Sequence, residues 1–266
     1  MMKKIVFFDI DGTLLDHDKK LPAAVKDAVL TLQKNGIYTA IATGRGPFMI
    51  SYLLKELNIK SYVTFNGQYV VSGNEVLYKN PFKSEDLKKL AVESKKYNHS
   101  LVYMNENTLK ANTEFDQRIA DAMKSLEMPH PELDPNFYED NDIYQTLLFA
   151  EESESEYLED FEGKHTFIRW HEEALDVVPK GGSKAEGIKK MIEALGFKME
   201  NVYAFGDGLN DIEMLKTVGT GVAMGNAHEV VKTYADFVTT DVDDDGIVNG
   251  LRAVGLLSDS FEIIKN

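Results

Sequence analysis

The 266-residue sequence predicts an α/β protein: a largely parallel sheet with helices on both faces, split by an inserted α+β module. Two observations predict this. Strand-like and helix-like segments alternate through the first third and again through the last, an order that lays strands in parallel with helices covering them. Between them, residues 82–179 place candidate strands next to one another in pairs, as antiparallel pairing requires.

The elements follow in order. In "KKIVFFDIDGTLLD", residues 3–16, the apolar run Ile5 to Phe8, continued by Ile10, reads as a strand buried on both faces. Two carboxylates, Asp9 and Asp11, stand at its end, and such proximity of like charges needs a compensating partner. In "LPAAVKDAVLTLQKNG", Val25, Ala28, Val29 and Leu32 fall at i, i+3, i+4 and i+7, with Pro22 suited to a first turn and Gly36 to a stop. "IYTAIAT" is a second buried strand, "PFMISYLLKELN" a helix and "SYVTFNG" a third strand.

The insertion reads as helix 84–97, strands 101–105 and 108–112, helix 114–126, the Pro- and Asp-rich surface loop "MPHPELDPNFYEDND", strand 144–150, helix 153–161, and strands 166–171 and 174–178. "SKAEGIKKMIEALG" then predicts a helix with Ser183 as N-cap and Glu186 completing a capping box. Its apolar face carries Ile188, Met191, Ile192 and Leu195, and Gly196 ends it. "NVYAFG", "DIEMLKTV", "TGVAM", "HEVVKTYA" and "DFVTT" resume the alternation, and a final helix spans 247–254. Segments 1–81 and 180–266 are therefore expected to build one domain, and 82–179 a second.

Composition narrows the function. A net charge of −15 disfavours nucleic-acid backbones and anionic membrane surfaces as partners, because both select clustered Lys and Arg. A small anion held at one local site is still compatible. With no cysteine, disulfides, zinc-thiolate sites and a Cys nucleophile are absent, which fits a reducing compartment. The first apolar run is about half a signal-peptide core, and nothing approaches the roughly 20 apolar residues of a membrane span. The expectation is a soluble cytoplasmic protein; oligomeric state cannot be read from these residues.

In an open parallel sheet the ligand crevice lies beyond the carboxyl ends of the strands. Asp9, Asp11, Gly12 and Thr13 follow the first strand; Thr43, Gly44 and Arg45 the second; Asn66 and Gly67 the third; Asp207, Gly208, Asn210 and Asp211 the strand after the insertion. Lys184 occupies the first turn of the capped helix. An acidic cluster with oxygen-only ligands selects a hard cation such as Mg²⁺, whose shell a phosphate commonly completes. Thr43, Lys184 and a helix N-terminus suit that phosphate.

At this point "DIDGT", the Thr after strand two, the Lys of the capped helix and "GDGLND" resemble the four motifs of the haloacid dehalogenase (HAD) superfamily of phosphohydrolases. The αββαβαββ insertion, "TGR", "NG" and "FGDGLNDIEML" are similar to the Cof-like, type IIB subgroup. The resemblance implies a Rossmann-like core with a cap. Asp9 would be the nucleophile, forming an aspartyl-phosphate, and Asp11 the general acid and base. Asp9, the Asp11 backbone carbonyl and Asp207 would ligate Mg²⁺, with Asp211 a ligand or an orienter. Thr43, Gly44 and Lys184 would hold the phosphoryl group, and Asn210 would position the site. Arg45 reads equally as a substrate contact or a structural carboxylate partner, and Asn66 and Gly67 sooner as turn residues than as substrate contacts.

The expected activity is a Mg²⁺-dependent phosphatase for small phosphorylated metabolites: sugar phosphates, with flavin mononucleotide or pyridoxal phosphate as other substrates. The insertion would close over the ester and exclude water. A phosphotransferase or mutase using the same intermediate is the alternative, and a non-catalytic ligand sensor a further one. Three segments are set aside. "DVDDDG" begins like a calcium loop but has Arg252 at the twelfth position. "GGSK" lacks the earlier glycine of a P-loop, and "EESESEYLEDFEG" is a solvated charge run.

Overall fold

The computed structural model describes residues 3–154, 156–258 and 261. The described residues divide into two compact units, one of 3–45, 49–78 and those from 183 onward, the other of 46–48 and those between 79 and 182.

The first unit starts with β1 (Ile5–Phe8), α1 (Ala23–Lys34), β2 (Tyr38–Ala42), α2 (Pro47–Glu56, grouped here from Met49), β3 (Ser61–Thr64), β4 (Tyr69–Ser72) and β5 (Glu75–Lys79, grouped here to Tyr78). The second unit supplies α3 (Ser84–Lys96), β6 (Ser100–Met104), β7 (Leu109–Ala111), α4 (Gln117–Ser125), α5 (Phe137–Asp140), β8 (Gln145–Phe149), β9 (His165–His171) and β10 (Ala174–Pro179). The chain then returns to the first unit with α6 (Lys184–Leu195), β11 (Val202–Gly206), α7 (Ile212–Thr217), β12 (Thr220–Ala223), α8 (Glu229–Lys232), β13 (Phe237–Val238) and α9 (Gly246–Ala253).

The first unit's eight-stranded sheet has the order β13-β12-β11-β1-β2-β3-β4-β5. Six of these strands, β13 through β3, pair in parallel. The buried run of β1 is explained by its alternation: Val6 and Phe8 pack with Val25, Val29, Ile50 and Leu251 on one face, while Ile5 and Phe7 pack with Ile188, Met191 and Leu215 on the other. Each such side chain withdrawn from water contributes about 1.5–3 kcal/mol. The chain runs outward from β1 to β2 and β3, then in the opposite direction from β11 to β12 and β13, so the strand order reverses between β1 and β11. A crevice opens at such a reversal because the connections leave to opposite sides.

The caps of α6 are largely as expected. Ser183 Oγ accepts from the Glu186 N–H at 3.2 Å, and Gly196 takes the left-handed conformation at the C-terminus. The reciprocal half of the capping box is replaced by a Lys189 contact to Glu186 at 2.6 Å.

Beyond the three strands read from the first third of the sequence, β4 pairs antiparallel to β3, and β4 and β5 extend the edge through a turn at Gly73. Two local expectations are corrected. Segment 153–161, expected as an α-helix, is described as 3₁₀ turns at Glu152–Glu154 and Glu156–Phe161, with Ser155 outside the described residues. Glu152, Glu156 and Glu159 repel at helical spacing, and of the second turn only Tyr157 and Leu158 are buried to oppose that cost. Within the predicted surface loop, Phe137 and Tyr138 form α5 and enter the core of the second unit beside Leu87, Tyr103 and Leu148. That unit's five-stranded sheet, β7-β6-β8-β10-β9, is antiparallel throughout. Among the described residues, no helix is long and apolar enough to cross a membrane.

Candidate active site

The strand reversal places the ends of β1 and β11 side by side. The Asp9 N–H donates to the Phe205 carbonyl at 3.0 Å, one residue before Gly206 and Asp207. Beyond Asp9 the chain turns sharply, with the N–H groups of Leu14 and Leu15 donating to the Ile10 carbonyl at 3.0 and 2.9 Å. Gly12 sits in this turn at φ +74°, and a Cβ there would meet the Asp207 carboxylate. The glycine therefore serves both a left-handed backbone and a close approach. Thr13 Oγ1 donates to Asp207 Oδ1 at 3.0 Å.

Lys184 is brought to the same point by α6. Its ammonium donates to Asp9 Oδ1 at 2.6 Å and Asp211 Oδ1 at 2.7 Å, with only 1% of the side chain exposed. Asp211 Oδ2 accepts the N–H groups of Asp207 and Gly208 at 3.0 and 2.9 Å, so both Asp211 oxygens are engaged by the protein itself. Carboxylate oxygens of Asp9, Asp207 and Asp211 lie within 4.8 Å of one another.

One ammonium does not balance three carboxylates. Burial, followed among the raising influences by the charges of Asp211 and Asp207, pushes the Asp9 carboxyl well above its usual range even against the Lys184 charge. Burial and then the Asp211 charge push Asp207 up to about 7. Lys184 is raised: the two carboxylates beside it outweigh the burial that would lower it. The donor set is oxygen-only and carries unrelieved negative charge, which fits a hard divalent cation. Asp9 and Asp207 could hold it, whereas the two engaged oxygens of Asp211 suit an orienting role.

Asp11 stands apart from this cluster. Arg45 grips it in a fork, Nε to Oδ2 at 2.8 Å and Nη2 to Oδ1 at 2.7 Å, while Lys19 Nζ donates to Oδ1 at 2.7 Å. Burial alone would raise its pKa, but these cations hold it below the ordinary value. The Arg45 guanidinium is thus paired with a carboxylate.

Thr43 is buried, its Oγ1 accepting from the Arg45 N–H at 3.1 Å, and Gly44 lies partly buried between them. Phe65, Asn66 and Gly67 take consecutive positive φ values of 52°, 51° and 97°. The Asn66 N–H donates to the Thr43 carbonyl, and Asn66 Oδ1 accepts from Asn210 Nδ2 at 3.0 Å. A Cβ on Gly67 would overlap the Ser183 carbonyl, so this turn abuts the start of the helix that carries Lys184.

Two polar residues escaped the sequence reading. Lys19 reaches Asp11 from a turn whose sequence carries no motif. Asn226 bridges loops, donating to the Gly12 carbonyl at 2.8 Å and accepting from the Val242 N–H at 2.9 Å. It follows β12, so a search of that strand's carboxyl end would have found it. "DVDDDG" is a 3₁₀ turn, Val242–Asp244, leading into α9.

Comparison with known proteins places this geometry in a family. The model of the haloacid dehalogenase-like hydrolases matches residues 6–251. "Putative phosphatase YkrA" of Bacillus subtilis (strain 168) is 46% identical over 97% of this chain and 100% of its own. The 5-amino-6-(5-phospho-D-ribitylamino)uracil phosphatase YcsE of the same organism is 31% identical over 94% of each chain. A solved structure of a HAD subclass IIB sugar phosphatase superposes with a TM-score of 0.86 at 31% identity, covering 96% of this chain and all of the other. The chain, with its α/β core and inserted second unit, belongs to the haloacid dehalogenase-like hydrolase family.

Proposed function

We propose that the protein is a Mg²⁺-dependent phosphatase that hydrolyses small phosphorylated metabolites through an aspartyl-phosphate on Asp9. The observation that carries this reading is the cluster at the β1/β11 reversal, where Lys184 Nζ lies 2.6 Å from Asp9 Oδ1 and carboxylate oxygens of Asp9, Asp207 and Asp211 lie within 4.8 Å of one another.

Asp9 Oδ1 is held by Lys184, and among the described residues no group donates to Oδ2, the oxygen we assign as nucleophile. Its attack forms the Asp9–phosphorus bond as the bond to the leaving oxygen breaks, and Asp11, which must enter this step protonated against the pull of Arg45 and Lys19, gives that oxygen its proton. Water then attacks phosphorus, passes a proton to Asp11 and releases Asp9. Lys184 and Thr43 stabilise the charge on the phosphoryl oxygens as preorganised donors, with Gly44 beside them. Asp9, Asp207 and the Asp11 carbonyl would hold Mg²⁺, which when bound neutralises phosphoryl charge and aligns the ester. Asp211 orients Lys184 and the Asp207 loop, and Asn210 with Asn66 supports the same rim.

The substrate class we favour is sugar and polyol phosphates, in keeping with what the ribitylamino-uracil and sugar phosphatase relatives are named for. Flavin mononucleotide and pyridoxal phosphate are the other candidates. We assign the choice among esters to the inserted segment 82–179, in line with the cap role expected of it. The cysteine-free composition suits the cytoplasmic setting we propose.

The test is phosphoryl trapping. With Mg²⁺ and p-nitrophenyl phosphate, rapid-quench mass spectrometry of Asp11→Asn should find a phosphoryl group on Asp9, since attack survives while hydrolysis of the intermediate slows. Asp9→Asn should show none. A phosphorylated Asp9→Asn protein, or full turnover by Asp11→Asn, would overturn these assignments.

A further inference from the structure

The loops that follow β1, β12 and β13 are joined by one uncharged side chain. Asn226 Nδ2 donates to the Gly12 carbonyl at 2.8 Å, and Asn226 Oδ1 accepts the Val242 N–H at 2.9 Å. One partner can only accept and the other only donate, so the position asks for a donor and an acceptor on one short, planar tip, which an asparagine amide supplies. We propose that Asn226 is a positioning residue for the divalent cation: by holding the Gly12–Thr13 segment it fixes the surface against which the Asp207 carboxylate rests. The inference rests on the proposed Mg²⁺ role of Asp207.

The backbone delivers Asn226 to this point. Directly after β12 the Ala227 N–H closes a turn on the Met224 carbonyl at 3.0 Å, and the Met224 N–H donates to the Gly206 carbonyl, one residue before Asp207. Between them Gly225 donates to the Thr240 carbonyl at 2.9 Å. A Cβ on Gly225 would come within 2.5 Å of the Asp241 nitrogen, so the two loops touch through their backbones. Val242 is buried in the same core cluster as Leu14 and Met224, which fixes the far anchor of the amide.

On the opposite side, Gly12 and Thr13 meet Asp207 twice. Thr13 Oγ1 donates to Asp207 Oδ1 at 3.0 Å, and Asp207 Oδ2 packs so closely on Gly12 that a Cβ there would lie 2.4 Å from it. The same Cβ would lie 3.2 Å from Asn226 Nδ2, so amide and carboxylate flank one residue. The peptide plane between Gly12 and Thr13 is stiff, and anchoring the Gly12 carbonyl therefore also sets where Thr13 begins. Gly12, at φ +74°, has no side chain of its own to resist rotation. Without the amide, the support beneath Asp207 is free to turn. Groups that orient a ligating carboxylate typically change metal affinity by roughly 10- to 100-fold when removed.

The experiment compares wild type with Asn226→Leu, Asn226→Asp, Thr13→Val, the Asn226→Leu/Thr13→Val double variant and Asn249→Ala. Asn226→Leu keeps the size of the side chain and removes both hydrogen bonds, whereas Asn226→Asp keeps the acceptor for Val242 and loses the donor to Gly12. Asn249 is the control. It braces the same loop by donating to Thr240 Oγ1 at 2.9 Å and to the Asp244 carbonyl at 3.1 Å, bonds that do not involve Gly12. Each protein is read twice: by the rise of its melting temperature with MgCl₂ in the absence of substrate, and by the Mg²⁺ concentration for half-maximal turnover of p-nitrophenyl phosphate.

Both Asn226 variants should bind Mg²⁺ roughly 10-fold or more weakly by either reading. At saturating Mg²⁺ their kcat should return to within about threefold of wild type, with KM for the ester nearly unchanged. Thr13→Val should weaken Mg²⁺ as well, and the double variant should lose less than the product of the single losses, because both residues act on one carboxylate through one segment. Asn249→Ala should lower the melting temperature and leave Mg²⁺ affinity unchanged.

An Asn226→Leu protein with wild-type Mg²⁺ affinity, whatever its melting temperature, would overturn the inference and leave Asn226 a link between loops. So would an Asn226→Asp or a Thr13→Val that binds Mg²⁺ as well as wild type or better, a kcat that stays low at saturating Mg²⁺, or a double variant that loses the full product. An equal loss of affinity in Asn249→Ala, or failure of both Asn226 variants to fold, would overturn it too. A wild-type protein whose melting ignores Mg²⁺ would instead defeat the metal reading underneath, and the inference with it.

Discussion

Replacing Lys184 by Met tests the electrostatic balance of the site while keeping most of the apolar stem. Lys184 is buried between Asp9 and Asp211, with Asp207 in the same cluster. Removing one partner of a buried ion pair costs about 3–5 kcal/mol, because the charges left behind are desolvated and unopposed. For a chain of this size, that corresponds to a fall in melting temperature of roughly 6–20 °C. The sign with pH follows from the shifts. Lys184 is raised in the folded state, so its contribution is fully present below the ordinary lysine value and lost only as pH rises through the folded one. In the variant, Asp9 and Asp207 take up protons as pH falls, so the deficit should narrow from pH 8 toward pH 5. Mg²⁺ should narrow it as well. The assay is thermal unfolding of wild type and Lys184→Met in EDTA and in Mg²⁺ across that range, together with turnover, which should fall about 10²- to 10³-fold. A variant that melts in EDTA at pH 8 within about 2 °C of wild type, where roughly 6 °C or more is expected, would refute the view that Lys184 balances this cluster.

Gly67→Ala places a Cβ against the Ser183 carbonyl at φ +97°, so it should cost about 2 kcal/mol or more and lower turnover by displacing the start of α6; unchanged melting and turnover would show that the turn yields freely. Asp207, raised to about 7, favours the protonated form in the folded protein, so metal-free stability from this group is present at low pH and lost as pH rises through about 7. A divalent cation must displace that proton, so stabilisation by Mg²⁺ should grow between pH 6 and 8, and a pH-independent thermal shift would contradict the assignment.

Much of the first unit was legible because its determinants are local. The run Ile5 to Phe8 reads as a strand buried on both faces whatever covers it, and Ser183 and Gly196 mark the ends of α6 through their own backbone chemistry. The strand-end rule then named Asp9, Asp207 and Asp211 before any contact was known. Elements that depend on distant packing were not legible: β4 and β5 gain their place only by pairing at the sheet edge, and Phe137 and Tyr138 become helical inside a loop-like stretch because a core is there to receive them.

The sequence by itself thus determined which residue types stand at the strand ends and the alternation that aligns those ends. Tertiary structure decided which of them touch. Lys184 and Asp9 are 175 positions apart, yet they meet at 2.6 Å because the chain reverses its direction of travel between β1 and β11. Arg45 forms its fork on Asp11 because β1 and β2 lie side by side. Lys19 carries no motif, and it reaches the same carboxylate because the Asp16 turn sends it back. Local hydrogen bonding and apolar spacing are written residue by residue, whereas the pairing of charges depends on distances that exist only after the sheet has formed.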